Sequence, residues 1–305
     1  MHETEVGDLL ERAGSTDDLR RVVVGVDDSP SGRSALLWGL GEAHARGVPL
    51  LAVRAWTPRS EMLDEPGPRL TARTSAQARD AHDNVEQDLE LAARQTGLEQ
   101  VEQAACIVEG RPAEVLLEAG RDAMIVVGAR GTGRLARHVV GSTTAEVLHH
   151  ASSPVVVVPA RPSAPAARAP RVLVGVDHSA ASLRALQIAG ATARRRGHPL
   201  VPVFAYQPPL GDVSGVGMYL ADPRPVREAA TAALRAAVEA AGCSDVALDP
   251  EVVLGHAGRG LTTLAQPQDL LVVGSRGRGG FAALLLGSTS TSCAQHATCP
   301  VLVVR

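Results

Sequence analysis

One long internal repeat runs through the sequence and constrains its fold more than any other feature. The segment RVVVGVDDSPSGRSALLWGL begins at Arg21, and RVLVGVDHSAASLRALQIAG begins at Arg171. Further on, MIVVGARGTGRLARHVVGSTTAEVLHHASSPVVVVP matches LLVVGSRGRGGFAALLLGSTSTSCAQHATCPVLVVR. Because the repeats of solenoid proteins are far shorter, at about 20–50 residues, this repeat indicates a duplicated domain. The chain of 305 residues also suits two domains of about 150 residues each.

The positions of the two copies predict the domain limits. We expect an N-terminal tail at 1–20, a first domain at 21–159, a linker at 160–170 and a second domain at 171–305. The segment PARPSAPAARAP between the copies alternates proline, alanine and arginine. This composition resists both helix and sheet, so the linker is predicted to be short and semi-extended. The tail is expected to be frayed, with a partner-docking helix as the alternative.

Each copy alternates strand and helix signals. RVVVGV is an apolar, β-branched run typical of a strand buried on both faces. Ser29, Pro30 and Ser31 predict a helix start, and this helix is expected to end near Arg46, before Gly47. The other predicted strands of the first copy are LLAVRA, Ala105 to Val108, MIVV and PVVVV, and the other helices are DAHDNVEQDLELAARQ (closed by Gly97), one after Pro112 and one from about Ser142. The sequence therefore predicts an α/β fold of two tandem open sheets, each with five parallel strands and helices on both faces.

The composition is that of an ordinary globular protein. Hydrophobic residues make up 45% of the chain and charged residues 21%, and no apolar run approaches the roughly 18–20 residues that span a bilayer. The opening segment MHETEVGDLLERAGSTDDLR is acidic and lacks the apolar core of a secretory signal. The cysteines form no CxxC pair and no zinc-type spacing. We expect a cytoplasmic protein with reduced thiols and no membrane partner.

The basic residues, the first loop sequence and the net charge argue against several kinds of nucleotide and nucleic-acid site. All 30 are arginine, since the sequence has no lysine, and this excludes a P-loop of the GxxxxGK[ST] type. The first strand is followed by DDSPSG, so a dinucleotide fingerprint of the GxGxxG type fits badly. The net charge is −3 and aromatic residues are only 2%. Because nucleic-acid binding uses basic patches and stacking platforms, no nucleic-acid partner is expected.

A glycine pattern follows the fourth predicted strand of both copies. Two glycines stand three residues apart, and after nine further residues a Gly-Ser-Thr segment opens a helix. Backbone without a Cβ can approach an anion closely, and a helix start adds N–H groups and a positive dipole. Turns and a helix cap are the alternative interpretation, but the spacing is kept twice, which favours phosphate binding. The residues are Gly128, Gly131, Gly141, Ser142 and Thr143 in the first copy and Gly274, Gly277, Gly287, Ser288 and Thr289 in the second.

An aspartate ends the first predicted strand of each copy, Asp27 in the first and Asp177 in the second. Such an aspartate beside a phosphate loop could accept hydrogen bonds from a ribose or an adenine amine, whereas a turn-forming aspartate is common after a strand. Ligands of open α/β sheets bind at the carboxyl ends of strands, beside a switch in strand order. The first and fourth strands are therefore expected to end at one site, which favours a ligand role.

With its Gly-x2-Gly-x9-Gly-(Ser/Thr) loops and its GVDxS strand ends, the sequence resembles the universal stress protein family, in its ATP-binding branch. The resemblance covers both copies and implies Rossmann-like domains, similar to adenine nucleotide alpha hydrolases, that hold ATP with or without Mg²⁺ on the glycine-loop residues. It implies that Val127 and Val273 line the nucleotide, that Asp27 and Asp177 face the ribose, and that Val53 and Val203 lie near the adenine. The family commonly dimerises through its last strand, which implies a homodimer or the pairing of PVVVV with PVLVV within one chain. Two departures are Ala129, where serine is frequent, and Pro202, which is expected to interrupt the second strand of copy two.

Three functions stay open on these grounds. The first is a non-catalytic sensor or regulator of a stress response, whose nucleotide changes dimerisation or the docking of an unknown protein partner. The second is a slow Mg²⁺-dependent ATP hydrolase, with Arg130 and Arg276 placed to touch phosphate; a solvated loop or a salt bridge is the alternative role of these arginines. The third is a nucleotide-free scaffold. We predict the first, with no catalytic residue and no metal ligand, so the protein is not expected to be an enzyme.

Overall fold

The computed structural model describes residues 19–56, 68–131, 140–160, 168–206, 224–248, 250–278 and 286–305. The chain divides into two compact units, Asp17–Ser163 and Ala164–Arg305. Each unit corresponds to one copy of the sequence repeat. Most of the predicted tail and linker lies outside the described residues.

The first unit alternates strands with helices. Its elements are β1 (Val22–Gly25), α1 (Pro30–Arg46), β2 (Leu50–Trp56), α2 (Pro68–Thr96), β3 (Gln103–Glu109), α3 (Pro112–Ala119), β4 (Met124–Gly128), α4 (Ser142–His150) and β5 (Val155–Val158). The strand order is β3-β2-β1-β4-β5, and all four neighbouring pairs are parallel. Strand order therefore reverses between β1 and β4, in the middle of the sheet.

The second unit has the same plan. Its elements are β6 (Val172–Gly175), α5 (Ala180–Arg196), β7 (Leu200–Tyr206), α6 (Arg224–Ala240), β8 (Glu251–Leu254), α7 (Ala257–Leu264), β9 (Leu270–Gly274), α8 (Ser288–His296) and β10 (Val301–Val304). The strand order is β8-β7-β6-β9-β10, again with parallel neighbours throughout. The predicted fold class is confirmed, with five parallel strands in the described part of each unit.

Helices cover both faces of each sheet. Within β1 the side chain of Val24 reaches Gly39 of α1, whereas a Cβ built on the next residue, Gly25, would point at Leu116 of α3. Because successive strand residues point to opposite faces, α1 and α3 lie on opposite sides of the sheet. The central strands are consequently enclosed, and Val22, Val23 and Val24 are fully buried.

The predicted limits of the first helix are confirmed. Ser29 caps α1 by accepting a hydrogen bond from the backbone N–H of Gly32, and Gly47 ends the helix in the left-handed conformation, with φ 66°. The helix α2 differs from the prediction, since it begins at Pro68 and is a full three turns longer than the segment starting at Asp80. Proline fits this start because the first helical residue needs no hydrogen bond from its own nitrogen.

The expectation that Pro202 interrupts the second strand of copy two is wrong. The strand β7 runs without a break from Leu200 to Tyr206, and Pro202 pairs in register with Val174. Leu200 exchanges backbone hydrogen bonds with the β8 side, at Val246 and Leu248, so the nitrogen of Pro202, two residues on, faces that side as well. The ladder with β8 begins only at Val203, so the missing N–H of proline costs no ladder bond.

Two glycines of α1 allow a matched test of the backbone argument. A Cβ on either Gly41, inside the helix, or Gly47, at its end, would meet no other atom within 4 Å. We expect Gly47→Ala to destabilise the first unit by about 1 kcal/mol, because alanine is strained at positive φ. Gly41→Ala is expected to stabilise it by about 0.5–1 kcal/mol.

The measurement is urea unfolding followed by tryptophan fluorescence. Both tryptophans of the chain, Trp38 and Trp56, lie in the first unit, so the signal reports on that unit. Shifts of the same sign for the two variants would contradict the assignment of Gly47 as a conformational requirement.

Candidate functional site

The carboxyl ends of two adjacent central strands place the predicted site residues in each unit. In the first unit β1 and β4 are neighbours, ending at Gly25 and Gly128, and in the second unit β6 and β9 are neighbours, ending at Gly175 and Gly274. Strand order reverses between these strands, and such a switch point opens a crevice where ligands of α/β sheets bind. The aspartate after the first strand and the glycine loop after the fourth therefore meet, as predicted.

The first glycine of each loop allows the backbone to pack against the preceding helix. A Cβ on Gly128 would lie 2.7 Å from the carbonyl carbon of Ser31, and a Cβ on Gly274 would lie 2.9 Å from that of Ala181. Real Cβ atoms do not approach backbone this closely. Both glycines therefore have a structural role in seating the loop on the first turn of α1 or α5.

The second glycine of each loop lies against the predicted aspartate. A Cβ on Gly131 would be 3.0 Å from Oδ2 of Asp27, and a Cβ on Gly277 would be 2.5 Å from Oδ2 of Asp177. The structure thus brings these two predicted site residues into direct proximity in both units. A side chain on the glycine would push the aspartate out of place.

The third glycine leaves a helix start uncapped. Gly141 and Gly287 precede α4 and α8 with φ of −60° and −78°, values that any residue adopts, and no side chain of the described residues caps either helix. A Cβ on Gly141 would make only an ordinary contact, 3.5 Å from the nitrogen of Gly131, and a Cβ on Gly287 would need a shift of a few tenths of an ångström from the carbonyl oxygen of Ser275, at 3.3 Å. The fold therefore does not require glycine here. Because glycine has no side chain, the first N–H groups of the helix are left open to an anion.

The contrast with α1 and α5 supports this interpretation. A serine directly precedes each of these helices, Ser29 or Ser179, and its hydroxyl accepts the hydrogen bond of a first-turn N–H. Serine at that position is a favoured cap and stabilises a helix by about 1 kcal/mol relative to alanine. The helix starts at the glycine loops lack this cap, so their N–H groups and positive dipole fit a phosphate.

A cavity of about 280 Å³ occupies this place in the second unit. Apolar side chains of Val176, Ala205 and Leu261 form part of its wall, and Arg276 and Arg278 bring positive charge to it. All eight residues predicted for the second copy line it, namely Asp177, Val203, Val273, Gly274, Gly277, Gly287, Ser288 and Thr289. An apolar wall with a few convergent polar groups is typical of a small-molecule site.

The first unit holds its predicted residues at the corresponding strand ends and loop. Val53 and Val127 are buried, and Gly128, Gly131, Gly141, Ser142 and Thr143 belong to the loop and to α4. Asp27 also lines a larger cavity of about 630 Å³ between α1 and α2, with Arg33 and Asp88. Among the described residues, no member of the glycine loop lines this larger cavity.

Hydrogen bonds hold Asp177 in its charged form. Burial alone would raise the pKa of its carboxyl group, but hydrogen bonds from the hydroxyl and N–H of Ser179 and from the N–H of Arg278 outweigh this and lower the pKa below its ordinary value. Oδ1 accepts the N–H of Ser179 at 3.0 Å, and Oδ2 accepts the N–H of Arg278, also at 3.0 Å. Asp177 is consequently an anchor of the loop as well as a wall of the cavity.

Several residues of the cavity escape the sequence analysis. Ser182 lines it, and its hydroxyl donates to the carbonyl of Ser179 at 3.0 Å and accepts the backbone N–H of Asp177 at 3.2 Å. Leu261 comes from α7, and only the sheet topology brings that helix under Gly175. Arg278 follows the second glycine in the run GSRGRG, and this basic run is the one sequence signal that could have identified it.

No helix in the described part of the chain is long and apolar enough to cross a membrane. All four cysteines, Cys106, Cys243, Cys293 and Cys299, are free thiols. Burial raises the pKa of Cys293 and Cys299 to about 12, so both thiols stay protonated and unreactive at neutral pH.

Comparisons with known proteins agree with this geometry. The model of the universal stress protein family matches residues 18–159 and again 169–305. A universal stress protein of Mycolicibacterium smegmatis is 34% identical over 291 residues, which cover 93% of this chain and 96% of the relative. One from Mycobacterium tuberculosis is 34% identical over 292 residues, with the same coverage. The crystal structure of a universal stress protein from Archaeoglobus fulgidus shares the fold at a TM-score of 0.65 and 21% identity, covering 95% of this chain and 97% of that one. The chain belongs to the universal stress protein family, with two family domains in tandem.

Proposed function

We propose that this protein binds an adenine nucleotide, ATP, through its glycine loops and acts as a non-catalytic, nucleotide-dependent regulator of a stress response. The observation that carries the proposal is the cavity of the second unit, where an uncapped helix start lies beside two glycines and two arginines. This combination suits a polyanion, because backbone N–H groups and guanidinium groups are the donors that phosphates prefer.

The apolar part of the cavity supports a base at its other end. Val176, Val203, Ala205 and Leu261 all line the cavity, and apolar side chains of this kind favour a flat aromatic ligand through contact with its ring. In the arrangement that we propose, the phosphates lie on Gly277, Gly287 and the first turn of α8, and the ribose lies beside Asp177. Mg²⁺ would accompany the phosphates as part of the ligand, with no protein residue assigned to it.

The chemistry of Asp177 supports a binding role rather than hydrolysis. Asp177 is the one carboxylate among the described residues that line the cavity. Its lowered pKa makes it a weak base, and a general base works best with a pKa near the pH at which it acts. With both oxygens accepting N–H groups of the protein, it is also poorly placed to take a proton from water. We therefore infer that nucleotide occupancy, not turnover, carries the signal, through self-association or the docking of a protein partner.

The free thiols support a cytoplasmic setting for this role. Four unpaired cysteines in one chain suit a reducing compartment, because disulfides form and persist mainly outside it.

Mass spectrometry of the small molecules released from the denatured protein tests the proposal, followed by calorimetric titration with ATP, ADP, AMP and GTP in the presence of Mg²⁺. We expect an adenine nucleotide in the released fraction and tighter binding of ATP than of GTP. An empty protein that gives no heat with any nucleotide would favour the scaffold instead. Turnover of ATP that disappears in a Gly131→Val, Gly277→Val double variant would favour the hydrolase.

A further inference from the structure

The two glycine loops differ at one buried side chain beneath them. Ser31, in the first turn of α1, is 4% exposed, and its hydroxyl donates to the carbonyl of Arg130 in the loop. The same oxygen accepts the backbone N–H of Arg130 at 3.2 Å. The hydroxyl of Ser29 lies 3.1 Å from the same carbonyl. Ser31 therefore ties the loop of the first unit to the first turn of α1.

This tie occupies a backbone N–H group of the loop that would otherwise be open to an anion. Between Gly128 and Gly131, the N–H of Ala129 donates to Val158 of β5 at 2.8 Å, and that of Arg130 donates to Ser31. Both backbone donors between the two glycines are thus engaged within the protein. An anion that approaches this loop must displace the Ser31 hydroxyl or forgo a hydrogen bond from the backbone N–H of Arg130.

The second unit lacks the competing hydroxyl. Ala181 stands at the position of Ser31, as the aligned segments GVDDSPSG and GVDHSAAS show, and its methyl group packs under Gly274. The N–H of Ser275 donates to Val304, as Ala129 does to Val158, but no side-chain oxygen exists at residue 181 to engage the next N–H. The loop of the second unit is held from its far side by the bond from the Arg278 N–H to Asp177.

The charged residues near the two loops also differ. Arg276 and Arg278 both line its cavity, whereas the sequence of the first loop has Arg130 and then Thr132 at these positions. After the first strand the first unit has the pair Asp27-Asp28, and the second unit has Asp177-His178. The first loop also has Arg134 and Arg137 in its sequence, and Asp28 is paired with Arg54, so net charge does not separate the two sites.

We propose that the protein has one strong nucleotide site, in its second unit, and that Ser31 weakens the first site by occupying the N–H of its loop. The inference rests on the proposed function. A hydrogen bond to a charged group is worth enough to change affinity by about tenfold or more, so the first site binds ATP at least about tenfold more weakly than the second.

Calorimetric titration of the full-length protein with ATP and Mg²⁺ tests this with reciprocal variants. We expect about one strong site per chain for the wild type. Ser31→Ala is expected to tighten the weak site by about tenfold, and Ala181→Ser to weaken the strong site by about tenfold. Amide hydrogen exchange locates the ligand, with protection by ATP expected at the first turn of α8 before that of α4.

Each outcome decides between the alternatives. Two equally strong sites in the wild type, or stronger protection of α4, would overturn the inference and leave the proposed function intact. Absence of ATP binding by the wild type would overturn the proposed function itself. If Ser31→Ala fails to fold, as tryptophan fluorescence would reveal, Ala181→Ser still decides, since an unchanged strong site would overturn the role assigned to the serine.

Discussion

Replacement of Gly287 by aspartate is expected to reduce ATP binding by the second unit about a hundredfold or more while the unit stays folded. The backbone of Gly287 has φ −78° and ψ 158°, which aspartate adopts without strain. A Cβ there would lie 3.3 Å from the carbonyl oxygen of Ser275, so a shift of a few tenths of an ångström accommodates it. The fold therefore tolerates the change.

The loss of binding follows from two effects at one point. An aspartate at the residue before α8 accepts hydrogen bonds from the first-turn N–H groups, which are then no longer open to phosphate. Its negative charge also occupies the place where the phosphate charge would be and repels it. The same two effects stabilise the helix by a few tenths of a kcal/mol to about 1 kcal/mol. Binding and stability are expected to change in opposite directions, which a damaged fold would not produce.

Titration with ATP and thermal unfolding of the same sample measure the two effects. Gly287→Asn is the control for charge, because it caps the helix without adding a negative group, and an intermediate loss of affinity is expected. Gly141→Asp is the matched variant in the first unit, and it is expected to leave the strong site unchanged. Full affinity in Gly287→Asp would show that the start of α8 does not hold the ligand.

Removal of the Asp269 carboxylate is expected to destabilise the second unit by about 2–4 kcal/mol. The side chain of Asp269 is fully buried at the start of β9. One oxygen accepts the N–H of Arg171 at 2.9 Å, the other accepts the N–H of Gln266 at 2.9 Å, and the guanidinium of Arg168 bonds to both.

Asp269→Ala leaves these donors without an acceptor. Two backbone N–H groups lose their partner in a buried place, and each unsatisfied buried group costs about 1–3 kcal/mol. The arginines are partly exposed, with 27% and 22% of the side chains of Arg168 and Arg171 accessible, so water recovers part of their loss. The bidentate bond also fixes the chain just before β6, and that segment is expected to exchange its amide hydrogens faster in the variant.

Urea unfolding followed by circular dichroism measures the change, with tryptophan fluorescence as the reference for the first unit. Asp245→Ala is the control, since it removes an exposed ion pair with Arg194, and such pairs contribute little. Asp269→Asn keeps one acceptor oxygen and is expected to lose less stability than Asp269→Ala. If Asp269→Ala unfolds at the same urea concentration as the wild type, as followed by circular dichroism, the anchoring role is refuted.

Much of the fold and of the site can be predicted from the sequence, because both depend on backbone chemistry that recurs in the two copies. Gly47 as a left-handed helix end, Ser29 as a cap and the spacing of the three loop glycines each have a local physical reason. The start of α2 was missed because its first turns are polar and have little apolar periodicity. The continuity of β7 through Pro202 was missed because it depends on where the ladder to β8 begins.

The repeat by itself determined that the protein has two α/β domains and that each brings an aspartate and a glycine loop to the carboxyl edge of its sheet. These features follow from local patterns, namely buried β-branched runs, helix ends and residues without a Cβ. Tertiary structure alone decided which donors of the loops are engaged. Ser31 and Arg130 are 99 residues apart in the chain, as Asp177 and Arg278 are 101 apart, and a hydrogen bond across such a separation exists only once the parallel strands have aligned both ends. The glycine pattern, which is the same in both loops, therefore could not show these bonds.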